Sequence, residues 1–371
     1  MRITKVEPIC LRVPAWNEPC EWGDDAFLVR IHTDEGIVGI GESDTSPTVA
    51  RAMIEAPESN LHCVGLERLL LGEDPMDIQG LWDKMYWQSS YVGRRGLGIH
   101  AISAVDIALW DIAGQYLGVP VWKLLGGACK DHMDVYGTFI PSDSMEENRR
   151  IVRGMLDSGY TSLKFGGGPL GEDEDLDVEI IRTVRQEAGD QIQLQIDLAT
   201  KWKTYDHAAR MMYRVEPFRL AWVEEPIPSD DFSQVNRLAQ LGIAPISGGE
   251  DLTTRYEFRP FIEQSGISIV QPDITRCGGI SEIQKIGCIA QNAHVKLVPH
   301  GFSTGILLAA TMHFLAAVPG ADLMEYSQSE SPLFKKLVKN LPVPQCGKIP
   351  IPQGPGLGIV VDDSMIQQYR I

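Results

Sequence analysis

Five carboxylates, a lysine and a histidine each close, or fall near the end of, a short apolar run in this 371-residue chain. They are Lys164 in SLKFG, Asp197 in QLQID, Glu224 in AWVEE, Glu250 in PISGGE, Asp273 in ISIVQPD, His300 in KLVPH and Glu325 in ADLME. From Asp197 onward the intervals are 27, 26, 23, 27 and 25 residues, about the length of one strand–loop–helix–loop unit of a parallel barrel. Side chains at the C-terminal ends of successive barrel strands converge on one point. Three carboxylates can share so small a space only with a cation, which makes Asp197, Glu224 and Glu250 candidate metal ligands. An oxygen-only set suits magnesium, completed by water and substrate oxygens. Asp273 and His300, on neighbouring strands, can hydrogen bond, which fixes the imidazole tautomer and raises its basicity for general acid/base work. Glu325 could donate to a developing oxyanion if a raised pKa kept it protonated. Lys164 could act as a base opposite His300 or clamp a substrate carboxylate.

The elements that would carry these groups follow from periodicity. Eight strands are expected, over 134–140, 161–166, 193–197, 220–225, 244–249, 267–272, 295–299 and 321–326. Amphipathic helices alternate with them, including Ser144–Ser158 with a possible capping box at Ser144 and Glu147, Asp175–Glu187, Asp206–Val215 and Ile280–Ala293. A doubly wound sheet needs G-x-G-x-x-G after its first strand, and Gly166-Gly167-Gly168-Pro169 is not that motif. Within a strand every second residue shares a face. Lys164 inward therefore turns Leu163 and Phe165 to the helices, Asp197 inward brings Gln195 and Gln193 with it, and Glu224 inward brings Trp222 and turns Glu225 outward.

Ahead of the barrel, residues 1–128 read as an α+β unit. Its strands are expected at 1–13, 26–34 and 37–42, with a turn at Thr33-Asp34-Glu35-Gly36. A buried helix over 98–117 stops at Gly118-Val119-Pro120. The loop around Trp16, Glu18, Glu21 and Trp22 has the composition of a lid. Arg94 and Arg95 could clamp an acidic substrate or make surface or interdomain ion pairs. The barrel spans 129–326, and 327–371 is a proline-rich extension.

A formal charge of −17 disfavours nucleic acid and anionic membranes as partners and leaves room for a local basic pocket that holds a small carboxylate. No apolar run was expected to approach the roughly 20 residues that span a bilayer. Seven scattered cysteines, none at CxxC spacing, read as reduced thiols of a cytoplasmic protein.

The set Lys164, Asp197, Glu224 in WVEEP, Glu250, Asp273 in QPD, His300 in VPH and Glu325 resembles the enolase superfamily, mandelate racemase subgroup, over the whole chain. The resemblance implies a (β/α)7β barrel with an N-terminal α+β capping domain and a C-terminal extension packed back on it, and a homo-oligomer. It implies Mg2+ on Asp197, Glu224 and Glu250, bound to the substrate carboxylate. The Asp273–His300 dyad would remove the α-proton, with Lys164 and Glu325 helping to stabilise the enolate. Members working from both faces carry Lys-x-Lys, whereas Gly166 stands at the second position; their Asp-x-Asn is Asp197-Leu198-Ala199, with Lys201 and Trp202 possible substitutes. One base disfavours racemisation and permits elimination, so the expected activity is dehydration of an aldonate or aldarate to a 2-keto-3-deoxy acid. A racemase, epimerase or cycloisomerase using Lys164 as second base, and a non-catalytic acid-binding barrel, are the alternatives.

Overall fold

The structure is a computed structural model that describes residues 1–13 and 23–371; the lid expected around Trp16 and Trp22, with Glu18 and Glu21, lies outside the described residues. Strands β1 (Ile3–Arg12), β2 (Asp25–Thr33) and β3 (Val38–Ser43) form an antiparallel sheet in that order. The predicted turn is present, with Gly36 donating to Thr33 O at 3.2 Å. The sheet is apolar on both faces because alternate residues serve two cores. Val6, Cys10 and Val29 pack with the buried helix Leu97–Leu117, while Ile9, Leu11 and Leu28 join the barrel-side core. Glycines let helix and sheet touch: a Cβ at Gly39 or Gly41 would lie 2.2 Å from Ala108 O or 1.9 Å from Ala104 O.

Eight parallel strands make the barrel: β4 (His132–Phe139), β5 (Ser162–Gly166), β6 (Gln193–Asp197), β7 (Trp222–Glu224), β8 (Ile246–Gly248), β9 (Ile269–Val270), β10 (Lys296–Leu297) and β11 (Leu323–Ser327). They pair in the order β10-β9-β8-β7-β6-β5-β4-β11, and β12 (Lys348–Pro350) adds antiparallel to β4. Helices follow the first seven barrel strands, from Met145–Asp157 to Gly305–Ala316; after β11 come the short helices Pro332–Lys336 and Asp363–Tyr369 of the C-terminal extension. This is the expected (β/α)7β arrangement. The C-terminus packs back on the cap, with Ile371 N donating to Cys10 O at 3.0 Å. Ser144 Oγ accepts from Glu147 N at 3.4 Å, while the Glu147 carboxylate pairs with Arg150, so only half of the capping box forms.

Two expectations change. The ladders of β7 to β10 are shorter than expected and Glu325 lies mid-strand, so the site residues do not occupy equivalent strand-end positions. Pro272 and Pro299 lack an N–H and precede Asp273 and His300, and Gly249 turns the chain at φ +116 before Glu250. The helix Leu97–Leu117 is also apolar and long enough, at 21 residues, to cross a membrane by composition alone. Instead 83% of its most apolar window is buried inside the protein, and it stops at Gly118 in the left-handed region as the sequence predicts.

The cap's buried edge is also tied to the barrel by a neutral histidine. His313, on the helix Gly305–Ala316, is wholly buried and accepts from Trp122 N at 3.2 Å. Burial lowers its pKa from 6.5 to about 4. Between those values the unfolded chain binds the extra proton, so this contribution is complete above pH 6.5 and is lost as pH falls toward 4. Denaturant melts at pH 7 and 4.5 should show His313→Asn, which keeps an acceptor, losing less stability on acidification than wild type. The differential is on the order of 2 to 3 kcal/mol; equal losses would remove His313 from the acid transition.

Candidate active site

The three proposed ligands meet where expected. Asp197 ends β6, Glu224 ends β7, and Glu250 follows the Gly249 turn; one carboxylate oxygen from each lies within 4.8 Å of the others. The structure therefore presents a hard oxygen cage. Burial, opposed by Lys164 and reinforced by Glu250, takes Asp197 up to about 6. Burial also raises Glu224 and Glu250. Glu224 is held by Lys164 Nζ at 2.7 Å, Gln271 Nε2 at 2.7 Å and Trp222 Nε1 at 3.1 Å. Glu250 Oε2, in contrast, is buried without a hydrogen-bond partner among the described residues. A buried, unsatisfied carboxylate oxygen in a crowded acidic cluster fits a cation ligand. Glu225, left out of the ligand set, turns at φ +40 and accepts from Gly249 N at 3.0 Å, bracing the turn before Glu250.

Across the cage stands the dyad. His300 Nδ1 is 2.7 Å from Asp273 Oδ2, while Nε2 lies 3.4 Å from Glu250 Oε2. Burial pushes His300 down, but Glu250, the Asp273 bond and Glu325 together lift it to about 10. A cation held by Glu250 would offset that carboxylate's charge and return the imidazole toward the range where it accepts a proton. Asp273 also accepts Thr275 N and Oγ1, both at 2.6 Å, and sits below the usual carboxylate range.

Glu325 corrects one expectation. Its Oε1 receives Thr138 Oγ1 at 2.6 Å and lies 3.0 Å from Lys164 Nζ; its Oε2 receives Gly301 N at 3.0 Å and Tyr136 Oη at 3.2 Å. Burial raises its pKa, yet the Lys164 and His300 charges and these donors hold it at about 2. It is an ionised acceptor surrounded by donors, so the protonated oxyanion donor is not what this arrangement provides. Lys164, wholly buried between Glu224 and Glu325, is held well above its ordinary pKa: burial lowers it, but both carboxylates outweigh that. A lysine so held is a fixed positive charge rather than a base at neutral pH.

Lys164, Asp197, Glu250, His300 and Glu325 line one pocket. Its walls include His300, Phe302 and Glu325, together with Gly166, Gly167 and Ala199. Thus the two positions that depart from the family pattern, 166 and 199, do border the site and bring no functional side chain. Gly166 is also packed tight: a Cβ there would lie 2.4 Å from Asp197 Cβ and 2.6 Å from Asp197 O. Lys201 and Trp202 do not substitute, because Lys201 Nζ donates to Gly168 O at 2.6 Å and Trp202 Nε1 to Asp177 at 3.0 Å. Arg95 makes an interdomain ion pair with Glu257 at 3.1 Å.

Sequence reasoning missed Arg276, whose guanidinium is 2.5 Å from Asp44 Oδ2 and 3.5 Å from Glu250 Oε1, and Glu42, a wholly buried acid at the end of β3. The available signal for Glu42 was an acid closing the apolar strand VGIGES.

Comparisons with known proteins agree with the fold. Residues 23–126 match the mandelate racemase / muconate lactonizing enzyme N-terminal domain, and 147–365 match the enolase C-terminal domain-like family. The chain belongs to the mandelate racemase/muconate lactonizing enzyme family of the enolase superfamily. It is 33% identical to an arabinonate dehydratase of Saccharolobus solfataricus, over 93% of this chain and 91% of the other. It is 32% identical to a D-galactarolactone cycloisomerase of Agrobacterium fabrum, again over 93% and 91%. A racemase from Streptomyces coelicolor A3(2), solved with bound magnesium, superposes with a TM-score of 0.87 at 28% identity over the full length of both chains.

Because Gly166 packs on Asp197, Gly166→Ala should distort the cage. Calorimetric titration with magnesium should show weakened binding, and melts a loss of about 1–3 kcal/mol typical of overpacking. Unchanged affinity and stability would show that β5 and β6 can separate without cost.

Proposed function

We propose that this protein is a magnesium-dependent dehydratase of sugar acids, converting an aldonate or aldarate to a 2-keto-3-deoxy acid. The observation that carries the reading is the single-base site: an oxygen cage, a His–Asp dyad, and β5 and β6 bringing Gly166 and Ala199 beside a Lys164 held by two carboxylates. The arabinonate dehydratase likeness and the magnesium-bound relative support the reaction class and the metal. Asp197, Glu224 and Glu250 would hold the cation, which when bound supplies positive charge for the substrate carboxylate.

His300 Nε2 takes the proton beside that carboxylate, with Asp273 holding Nδ1–H and stabilising the imidazolium. Lys164 places a second, permanent positive charge where electron density accumulates, and Glu325 holds Lys164 in place. His300 then returns the proton to the β-hydroxyl as its C–O bond breaks and water leaves; the resulting enol rearranges to the 2-keto acid. Lys164 as a second base is disfavoured by its two carboxylate partners. A cycloisomerase working with the single His300 base is the second reading, favoured by the D-galactarolactone cycloisomerase likeness.

Screening aldonates, aldarates and their lactones for keto-acid formation should find a substrate whose turnover stops on chelation and returns with magnesium. His300→Asn should lower kcat by about 10²- to 10⁴-fold, the usual worth of general acid/base catalysis. Turnover near the wild-type rate in that variant would exclude His300 as the base.

A further inference from the structure

The end of the cap's third strand reaches both halves of the dyad. Glu42 Oε1 accepts Ser303 Oγ at 2.6 Å and Thr304 N at 3.1 Å; its Oε2 accepts Thr304 Oγ1 at 2.7 Å and Leu307 N at 2.8 Å. These donors lie in the loop and first helical turn directly after His300, and Phe302 of that loop lines the pocket. The helix has its own cap, since Thr304 Oγ1 accepts Ile306 N at 3.1 Å, so Glu42 adds a contact from a different domain. The next residue, Ser43, donates its hydroxyl to Thr275 O at 2.9 Å, and Asp44 N donates to Thr275 Oγ1 at 3.1 Å. Thr275 in turn gives both its N–H and its hydroxyl to Asp273 Oδ1.

We propose that Glu42, Ser43 and Asp44 form a clamp by which the capping domain sets the Asp273–His300 geometry. His300 and Asp273 come from adjacent loops that follow the shortest barrel ladders, β10 and β9 at two residues each, so the barrel's own hydrogen bonds restrain them least. One short stretch of the cap holds both loops, Glu42 on the imidazole side and Ser43–Asp44 on the carboxylate side. These are positioning residues, and the assignment rests on the proposed role of His300 as the base.

Glu42→Gln keeps volume while turning an NH2 toward a backbone N–H, at Thr304 or Leu307, so at least one bond is lost. Ser43→Ala removes one hydroxyl and should leave the fold intact. With 15N-histidine-labelled full-length protein, the His300 Nδ1 signal is assigned by its absence in His300→Asn. Its shift should move in both Glu42→Gln and Ser43→Ala, and the pH profile of turnover should move with it. On the sugar acid found by screening, kcat should fall by about tenfold or more with KM near wild type, since small misplacements of a catalytic group are costly. Arg185→Gln, which breaks contacts to Phe218 O and Ile192 O, each at 2.8 Å, just before β7 and β6 at the far end of the barrel, serves as a control and should leave the signal in place. An unmoved His300 signal with wild-type kcat in both clamp variants, or an equal shift in Arg185→Gln, would overturn the clamp. A shifted signal in a protein that turns over no sugar acid would instead sink the proposed reaction and leave the clamp standing.

Discussion

Charge balance in a dry space is the constraint on which this molecule depends. Asp197, Glu224, Glu250, Asp273 and Glu325 crowd the mouth of one barrel, against Lys164, Arg276 and His300 as the neighbouring groups able to carry positive charge. Arg276 is moreover shared with Asp44. Like charges packed this closely cannot all stay ionised away from water unless cations come with them. Lys164 neutralises part of the cluster by sitting between Glu224 and Glu325. The remaining excess, concentrated where Glu250 Oε2 has no hydrogen-bond partner among the described residues, is what a divalent cation would offset.

From that constraint the chemistry acquires a direction. Carboxylates that would be committed to a cation and a lysine committed to carboxylates leave His300 as the group best placed to move a proton. The pocket wall formed by β5 and β6 adds Gly166, Gly167 and Ala199 beside Lys164 and Asp197. The cap completes the arrangement: its buried carboxylates accept hydrogen bonds from the starts of two barrel helices, Glu42 from the one after His300 and Asp106 from Ser281 N at 2.9 Å in the one after Asp273. Domain docking and dyad alignment therefore draw on the same bonds.

The barrel and the seven residues gathered in it were legible because each sits at or near the end of an apolar run, and from Asp197 on they recur at an interval one βα unit demands. The regular period survives even where the hydrogen-bonded ladder does not: Pro272 and Pro299 end β9 and β10 early without moving Asp273 or His300 away from the site. Protonation was less legible. Glu325 looked like a neutral donor by position, but the four donors around it come from β4, β5 and the loop after His300, which no spacing along the chain reveals. Glu42 and Arg276 escaped for the same reason. Glu42's partners and one of Arg276's, Asp44, lie across a domain boundary, and neither residue follows the barrel-strand period that exposed the rest.

Proton removal from a single wall of the pocket can be read by proton NMR of turnover in heavy water with a substrate and its C2 epimer. One epimer alone should lose its C2 hydrogen, a keto acid with deuterium at C3 should accumulate, and neither epimer should be converted into the other. Interconversion of the epimers, with deuterium at C2 of both, would require a second base and rule out a site with one.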